Sequence, residues 1–305
     1  MKRAVSISIG SSRRNKAVEI ELMGERIRLE RIGTDGDMQK AAELYRELDG
    51  KVDAFGVGGA DLGLMVDKRW YRLHSVKSLV RDVRRTPVVD GTGLKNAYEY
   101  RAAALVDANL PVGNRVRRAF ITSGVDRFGM TLGLVDAGYE TVIGDLMFVL
   151  GLPIPIHTIA GLKRVASVLV PVVSHLPFHW LYPTGASQDV RKPRFIKYFN
   201  WSTLVAGDCH FITYNMPDAL PGRIIITNTT TEEDRALFRR AGVKYLVTTT
   251  PVIEGRSFGT NLLEAAMVAL MGRTQPVDYT NPGSYFQDID RMIDQLGLAP
   301  QFQEL

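Results

Sequence analysis

The chain alternates short apolar segments with segments of helical spacing over most of its length. Apolar segments that end in polar residues stand at 118–122, 140–145, 203–208, 223–227 and 244–248. Segments with helical spacing follow them at 127–137, 162–170, 230–241 and 261–271. Strands this apolar, separated by helices, predict parallel sheets covered by helices on both faces. Because crossovers are right-handed, we expect an α/β protein with a doubly wound, Rossmann-like sheet and with ligands beyond the carboxyl ends of its strands.

The first third of the chain predicts a smaller α/β domain that precedes the Rossmann-like one. Its predicted elements are a strand at 5–9, a hairpin at 19–30, a helix at 37–48, strands at 52–57 and 88–90, and a helix at 94–109. Turn-forming residues at 110–114 then suggest a boundary. We therefore predict a substrate domain at 1–112, a nucleotide-binding domain at 113–273, and a C-terminal segment at 274–305 that packs back on the domains.

Composition limits the class of protein further. Of the 305 residues, 45% are hydrophobic and 23% are charged, which excludes a disordered, collagen-like or coiled-coil chain. The one cysteine, Cys209, excludes an intramolecular disulfide and any zinc site with two or four cysteines.

The chain starts with a strand pattern and not with an apolar signal segment, so we expect a cytoplasmic protein. No metal site is expected, because Pro177 interrupts the i, i+4 pair of His175 and His179.

Two segments of the sequence bear on whether the protein binds a nucleic acid, a membrane or a second subunit. The net charge is +5, and basic residues concentrate at 68–85, which predicts a basic helix. Such a helix either contacts a nucleic acid, with Trp70 and Tyr71 stacking on bases, or is a solvated face; the mild charge favours the solvated face. Residues 165–188 carry no charge but contain three prolines. This favours a buried helix and loop, or a subunit contact in a homo-oligomer, over a membrane span.

A bend with two glycines follows the apolar segment 118–122. It comprises Ser123, Gly124, Val125, Asp126, Arg127, Phe128 and Gly129. Amides at such a helix start bind pyrophosphate, and Asp145 stands 21 residues after Gly124, where a Rossmann site places the carboxylate that binds ribose. We therefore predict a site for NAD or NADP, with Arg127 facing the 2′-phosphate in the NADP case. Because the full fingerprint has three glycines, a structural strand-to-helix turn is the alternative.

A carboxylate and an amine flank a second bend, Gly91-Thr92-Gly93. Asp90 ends the predicted strand at 88–90, and Lys95 begins the next helix. An amine in this place can exchange a proton with a substrate hydroxyl during hydride transfer. We predict Lys95 and Asp90 as catalytic residues and Asn96 as a substrate contact. A surface lysine beside an aspartate turn is the alternative.

Polar residues also stand at the ends of other predicted strands. Because the carboxyl ends of parallel strands meet at one edge, their hydroxyl and amide groups suit phosphate, ribose or a polyol. We predict Thr227 and Thr249 as cofactor contacts, and Asp208 and His210 as contacts to a small-molecule substrate. Helix capping is the alternative for the threonines, and a structural role is the alternative for His210.

Several blocks resemble those of bacterial proteins of the quinate 5-dehydrogenase family, which is related in name to shikimate and quinate dehydrogenases. The blocks are VVDGTGLKN (88–96), SGVDRFGM (123–130), GDLMFVLGLPIPI (144–156), WLYPTG (180–185), TNTTT (227–231), VTTTP (247–251) and GRSFGTN (255–261). The resemblance implies a substrate domain, an NAD- or NADP-binding domain and a catalytic lysine–aspartate pair. Lys95 is the lysine in the comparable position. Its partner stays open between Asp90 and Asp126, because no segment reproduces the asparagine-threonine-aspartate motif of those enzymes.

The function implied by the resemblance is an NAD(P)-dependent oxidoreductase of a polyhydroxylated cyclic acid such as quinate or shikimate. The residues Ser6, Ser8, Ser11, Ser12 and Asn15 resemble the serine-rich substrate loop of shikimate dehydrogenases, which implies that Ser8 contacts the substrate. A GAGGA-type loop is absent from the sequence. Two alternatives remain open. One is a non-catalytic protein that binds a nucleotide or a nucleic acid, and the other is a transferase on the same scaffold.

Overall fold

The computed structural model describes residues 1–110, 116–176, 191–253 and 256–305. They form two compact units. The first unit takes the described residues of Met1–Ala97, Val170–Thr184 and Pro251–Leu298, and the second takes those of Tyr98–Leu169, Gly185–Thr250 and Ala299–Leu305. This division differs from the predicted limits at 112 and 273, because the chain passes more than once between the units.

The helices and strands of the described residues follow the predicted alternation. The helices are α1 (Met38–Leu48), α2 (Lys77–Val80), α3 (Thr92–Tyr100), α4 (Ala102–Asn109), α5 (Phe128–Asp136), α6 (Asp145–Leu150), α7 (Ile159–Val173), α8 (Ile196–Trp201), α9 (Cys209–Asn215), α10 (Glu232–Arg240), α11 (Thr260–Leu270) and α12 (Tyr285–Gln295). The strands are β1 (Lys2–Ser8), β2 (Lys16–Leu22), β3 (Glu25–Gly33), β4 (Ala54–Gly58), β5 (Gly63–Val66), β6 (Arg69–Arg72), β7 (Val88–Val89), β8 (Arg118–Ile121), β9 (Glu140–Ile143), β10 (Leu204–Gly207), β11 (Ile224–Thr227), β12 (Tyr245–Thr248), β13 (Val252–Ile253), β14 (Arg256–Ser257) and β15 (Gln301–Glu304).

The first unit contains a five-stranded sheet in the order β2-β3-β1-β4-β7. The predicted hairpin is confirmed: β2 and β3 pair antiparallel, and Met23 and Gly24 both have positive φ, as a tight two-residue hairpin turn requires. The other pairs of this sheet are parallel. The predicted first helix is confirmed as α1, and Asp37 caps it by accepting a hydrogen bond from the Lys40 amide.

Helix α11 packs directly on β1 and β4, although the sequence assigns it to the nucleotide-binding domain. Glycines make this approach possible. A Cβ on Gly56 would lie 2.6 Å from the Asn261 carbonyl oxygen, and one on Gly91 would lie 2.8 Å from the Thr260 hydroxyl. This packing is the physical reason why α11 belongs to the first unit.

The second unit contains a six-stranded sheet in the order β15-β12-β11-β10-β8-β9. Strands β8 to β12 are parallel, and β15 joins β12 antiparallel. The predicted α/β class with a parallel, Rossmann-like sheet is thereby confirmed. The strand order changes direction between β8 and β10, which is the place where such sheets bind ligands. Edge strand β15 was not predicted, because its sequence Gln-Phe-Gln-Glu is mostly polar.

The basic segment 68–85 does not form the predicted helix. Its first part is β6, which pairs with β5, and its only helix among the described residues is the four-residue α2. The amides of Arg84, Arg85 and Thr86 donate to the Asp49 carboxylate, which holds an irregular turn there. Trp70 stacks on Tyr279 with ring centroids 4.4 Å apart, and Tyr71 is buried. The aromatic side chains predicted to stack on bases therefore serve packing.

Two local predictions also need correction. The helix predicted at 94–109 is divided into α3 and α4 at Arg101. The sequence Thr-Thr-Glu-Glu at 230–233 predicts a capping box for the helix at 230–241, but the box before α10 is formed by Thr231 and Asp234. In the described part of the chain, no helix is long and apolar enough to cross a membrane.

Candidate functional site

The first unit brings Lys95 and Asp61 together. Asp61 lies in the loop after β4, and Lys95 lies in the first turn of α3, directly after β7. Because β4 and β7 are neighbouring parallel strands, their carboxyl ends meet at one edge of the sheet. The Nζ atom of Lys95 lies 3.4 Å from Oδ1 of Asp61. Lys95 is only 8% exposed, so this amine is held close to a carboxylate in a largely water-excluded place.

Asp90, the predicted partner of Lys95, also binds the backbone. Its two carboxylate oxygens accept hydrogen bonds from the amides of Leu62, at 2.6 Å, and Thr92, at 3.0 Å. Burial and the neighbouring charge of Asp61 raise the pKa of Asp90, and the positive charge of Lys95 acts in the opposite direction. Asp90 thus anchors the Asp61 loop to the start of α3, and its charge interacts with that of Lys95. The other candidate partner, Asp126, lies in the second unit beside Arg127.

Glu264 of α11 lies beneath the first turn of α3 and is fully buried. Its Oε2 accepts a hydrogen bond from the Leu94 amide at 2.9 Å. Its Oε1 accepts from the hydroxyls of Tyr285, at 2.5 Å, and Tyr279, at 3.3 Å. Burial, together with the charge of Asp90, raises the pKa of Glu264 to about 7.

Ser8 lies at the same edge of the first sheet, since it ends β1 opposite Gly58 of β4. Its hydroxyl accepts hydrogen bonds from Arg31 Nη2, at 2.9 Å, and from the Gly10 amide. Asn96, the other predicted substrate contact of this unit, donates from its side chain to the Thr92 carbonyl of its own helix.

The bend after β8 is closed by Asp145. The carboxylate of Asp145 accepts hydrogen bonds from the amides of Gly124, at 2.7 Å, and Val125, at 2.9 Å. A Cβ on Gly124 would lie 2.5 Å from Cγ2 of Ile143, so the bend packs tightly against β9. Burial raises the pKa of Asp145 to about 6, against the two amide hydrogen bonds, which lower it. The carboxylate predicted to bind ribose thus occupies two of the amides of the bend that was predicted to bind pyrophosphate.

Arg127 is buried among three carboxylates. Its guanidinium lies 2.5 Å from Glu99, 2.8 Å from Asp208 and 3.1 Å from Asp126. Burial by itself would lower the pKa of Arg127, but the three acidic neighbours outweigh it and raise the pKa. This guanidinium is paired with acids within the protein, although its buried Nε makes no hydrogen bond; three acidic neighbours do not match the predicted contact to a 2′-phosphate.

The other predicted cofactor contacts also bond within the second unit. Ser123 accepts the Arg127 amide through its carbonyl, and Phe128 and Gly129 are buried in α5. The hydroxyl of Thr227 donates to the Gly207 carbonyl, and that of Thr249 donates to the Thr227 carbonyl.

The predicted substrate contacts of this unit lie at the start of α9. Asp208 caps α9 by accepting the His210 amide, and its other oxygen accepts from Asn228 at 2.7 Å. The ring of His210 lies 6.1 Å from that of Tyr214 on the same helix. Helix capping therefore accounts for Asp208, and its hydrogen bonds are satisfied within the protein.

The hydrogen bonds of the bend and the ion pairs of Arg127 indicate whether a dinucleotide can bind there. A pyrophosphate needs unpaired amides or cations, but Gly124 and Val125 donate to Asp145, and Arg127 faces three acids. The bend therefore does not fit the phosphates of NAD or NADP in the predicted way. Within residues 1–110, 116–176, 191–253 and 256–305, no group of three or more His, Cys, Asp or Glu could hold a metal ion. The resemblance block at 180–185 and residues 254–255 lie outside the described residues.

The sequence prediction missed Asp61 and Glu264. Asp61 follows the apolar strand and the Gly58-Gly59 pair, so the rule for polar residues at strand ends would have found it. Glu264 is the one charged residue of the apolar helix α11, and that isolation is a signal of a buried, partnered acid. Tyr279 and Tyr285 carry no comparable sequence signal.

Comparison with solved structures gives low similarity. A malic enzyme from Entamoeba histolytica has 12% identity and a TM-score of 0.36; the match covers 84% of this chain but only 53% of that enzyme, about half its length. An NAD-dependent malic enzyme from Thermotoga maritima has 11% identity, coverage of 88% and 73%, and a TM-score of 0.34. A Mycobacterium smegmatis protein in complex with β-D-fucofuranose has 11% identity, coverage of 100% and 99%, and a TM-score of 0.33. Likenesses this weak carry no information about substrate or cofactor.

Sequence comparison identifies the family. No curated protein matches the chain. Residues 3–90 match the model of a domain of unknown function, DUF8753, and residues 93–305 match that of a second one, DUF8754. The two matches meet at the bend between β7 and α3, next to Asp90 and Lys95. The chain belongs to the family described as domain of unknown function DUF8754.

Proposed function

We propose that the protein is an oxidoreductase of a small hydroxylated acid, in which Lys95 exchanges a proton with the reacting hydroxyl group. The observation that carries this proposal is the ion pair of the buried Lys95 with the half-buried Asp61, whose charged atoms are 3.4 Å apart. Removal of an amine and a carboxylate from water costs several kcal/mol per ion, of which the ion pair returns only a part. Buried ionisable pairs at strand ends are therefore candidates for a chemical role.

Lys95, Asp61 and Asp90 would have different roles in the proposed reaction. When a hydroxyl-bearing carbon gives a hydride to the nicotinamide, its oxygen must lose a proton. Lys95 would accept that proton as a neutral amine, once its ammonium group has released its own proton to solvent. Asp61 would stabilise the ammonium group that results. In the reverse direction the ammonium returns the proton to the carbonyl oxygen. Asp90 would keep both groups in place, because it binds the backbone on either side of the pair.

The strand end beside this pair supports an acidic substrate. Arg31 reaches Ser8 and the Ser11 carbonyl, and burial followed by the charge of Arg14 lowers the pKa of Arg31. The short 3₁₀ turn Ser12–Arg14 adds two more arginines after β1. Such a basic loop attracts a carboxylate, which suits a hydroxy acid of the quinate or shikimate kind.

The sequence resemblance implies NAD or NADP as the hydride acceptor, and we propose that class of cofactor. The closed bend at Gly124 offers it no phosphate contact, so its binding would depend on groups other than the Gly124 and Val125 amides. The protein's own part in the reaction, the proton transfer at Lys95, does not depend on where those phosphates bind.

The test is a panel of cyclic and linear hydroxy acids with NAD and NADP, followed through nicotinamide absorbance. Lys95→Met should lower kcat by about 10²–10⁴, the usual contribution of general acid–base catalysis. Lys40→Met, a change at an exposed lysine of α1, is the matched control and should keep the rate. Undiminished turnover by Lys95→Met would exclude Lys95 from the chemistry, and failure of every acid with both nucleotides would count against the oxidoreductase.

A further inference from the structure

The first turn of α3 is held by two acids from outside the helix. The Thr92 amide donates to Asp90 Oδ1, and the Leu94 amide donates to Glu264 Oε2. The Lys95 amide itself donates to the Gly91 carbonyl at 2.7 Å. The first amides of a helix have no partners within it, so these contacts fix where α3 begins and how it is oriented. Glu264 thus binds the residue directly before Lys95.

The local sequence is adapted to this contact. A Cβ on Gly93 would lie 3.0 Å from Oε1 of Glu264 and 3.1 Å from Cε1 of Tyr285. A larger residue at this position would push the acid away from the helix. The absence of a side chain at 93 therefore lets a carboxylate from α11, 170 residues further along the chain, reach the Leu94 amide.

Glu264 is in turn held from its other side. The hydroxyls of Tyr285 and Tyr279 both donate to Oε1, and the ring of Tyr279 stacks on Trp70. With three donors on its two oxygens, the carboxyl group has little freedom to rotate. Truncation of this side chain would leave several buried donors without an acceptor, which costs free energy for each of them.

We propose that Glu264 is a positioning residue for Lys95: by binding the Leu94 amide, it fixes the first turn of α3 so that the Lys95 amine points to Asp61. This inference rests on the proposed function, because it gives Lys95 the proton-transfer role. Glu264 acts only through the helix backbone, since its contacts run to Leu94 and to the two tyrosines.

Two measurements on the full chain, without substrate, test the proposal. The first is the hydrogen-exchange rate of the Leu94 amide. The second is the rate at which acetic anhydride labels Lys95, measured by mass spectrometry against exposed lysines such as Lys40. Glu264→Ala should speed exchange at Leu94 at least tenfold and labelling of Lys95 several-fold, while amides of β10 and β11 in the second unit keep their rates. Glu264→Gln retains a carbonyl acceptor and should restore most of the protection.

The outcomes separate this proposal from the proposed function. Wild-type exchange at Leu94 and wild-type labelling of Lys95 in Glu264→Ala would overturn the positioning role, whether or not Lys95→Met loses turnover. Conversely, an active Lys95→Met enzyme would overturn the proton-transfer role but leave the labelling result intact. If Glu264→Ala does not fold, Glu264→Asp replaces it: the side chain is one methylene shorter, and increased labelling of Lys95 is again expected. Unchanged labelling in that variant would equally overturn the proposal.

Discussion

The Gly124 amide donates a hydrogen bond to the Asp145 carboxylate over a distance of 2.7 Å. This contact bears on whether the bend after β8 can bind a nucleotide. The spacing of the two residues is that of a nucleotide site, in which amide and carboxylate each bind a part of the ligand. Here they bind each other, and Val125 adds a second amide to the same carboxylate. The acid therefore occupies two amides of the bend that leads into α5, which begins at Phe128.

The first prediction concerns Asp145. Asp145→Ala leaves the Gly124 and Val125 amides without an acceptor, so we expect the free energy of unfolding to fall by about 2 kcal/mol. Urea denaturation measures this, with Asp218→Ala as the control, because Asp218 is exposed and should change stability by less than about 0.5 kcal/mol.

The same variant distinguishes the two interpretations of the bend. NAD and NADP should not slow hydrogen exchange at Gly124 and Val125 in the wild-type chain. Slower exchange on addition of either nucleotide, lost in Asp145→Asn, would restore the original interpretation as a pyrophosphate site.

Arg127 gives the second prediction. Arg127→Met removes the cation that faces Glu99, Asp126 and Asp208, and leaves their carboxylates buried or half-buried without it. We expect a loss of about 3–5 kcal/mol in the free energy of unfolding. Arg26→Met, which breaks an exposed pair with Glu19, should cost clearly less. A small effect of Arg127→Met would mean that this guanidinium is available to a ligand after all.

These contacts show which parts of the structure the sequence could predict. The hairpin β2–β3, helix α1 and the parallel strands β8 to β12 depend on local periodicity and were predicted correctly. The Lys95–Asp61 pair depends on β4 and β7 being neighbours, and no local pattern specifies strand order. The bond from Leu94 to Glu264 joins residues 170 positions apart, so it requires the packing of α11 on β1 and β4. The spacing of Gly124 and Asp145 was recognised, but spacing does not reveal whether two groups bind a ligand or each other.

The third prediction is a pH dependence that originates in Glu264. Burial raises the pKa of this group to about 7 in the folded chain, whereas an unfolded glutamate has a pKa of about 4.3. The folded state therefore holds the proton more tightly. Its contribution to stability is complete below about pH 4 and is lost as the pH rises through about 7, a change of about 4 kcal/mol at most. Glu264→Gln does not titrate, so its free energy of unfolding should vary less between these limits than that of the wild type. Parallel curves for the two proteins would contradict the raised pKa.

The fourth prediction tests the segment 68–85 as a nucleic-acid contact. Binding by stacking needs exposed aromatic rings beside cations, but the ring of Trp70 lies against Tyr279, and Tyr71 is buried beneath Arg69. We expect no measurable affinity for single-stranded DNA or RNA at physiological salt. Fluorescence anisotropy of a labelled oligonucleotide over a salt series measures this affinity. We also expect Trp70→Ala to lower the free energy of unfolding by about 2 kcal/mol or more, through loss of the stacked ring. Binding that weakens steeply with salt, and that Arg81→Ala and Arg84→Ala reduce, would instead identify this exposed basic turn as a phosphate contact.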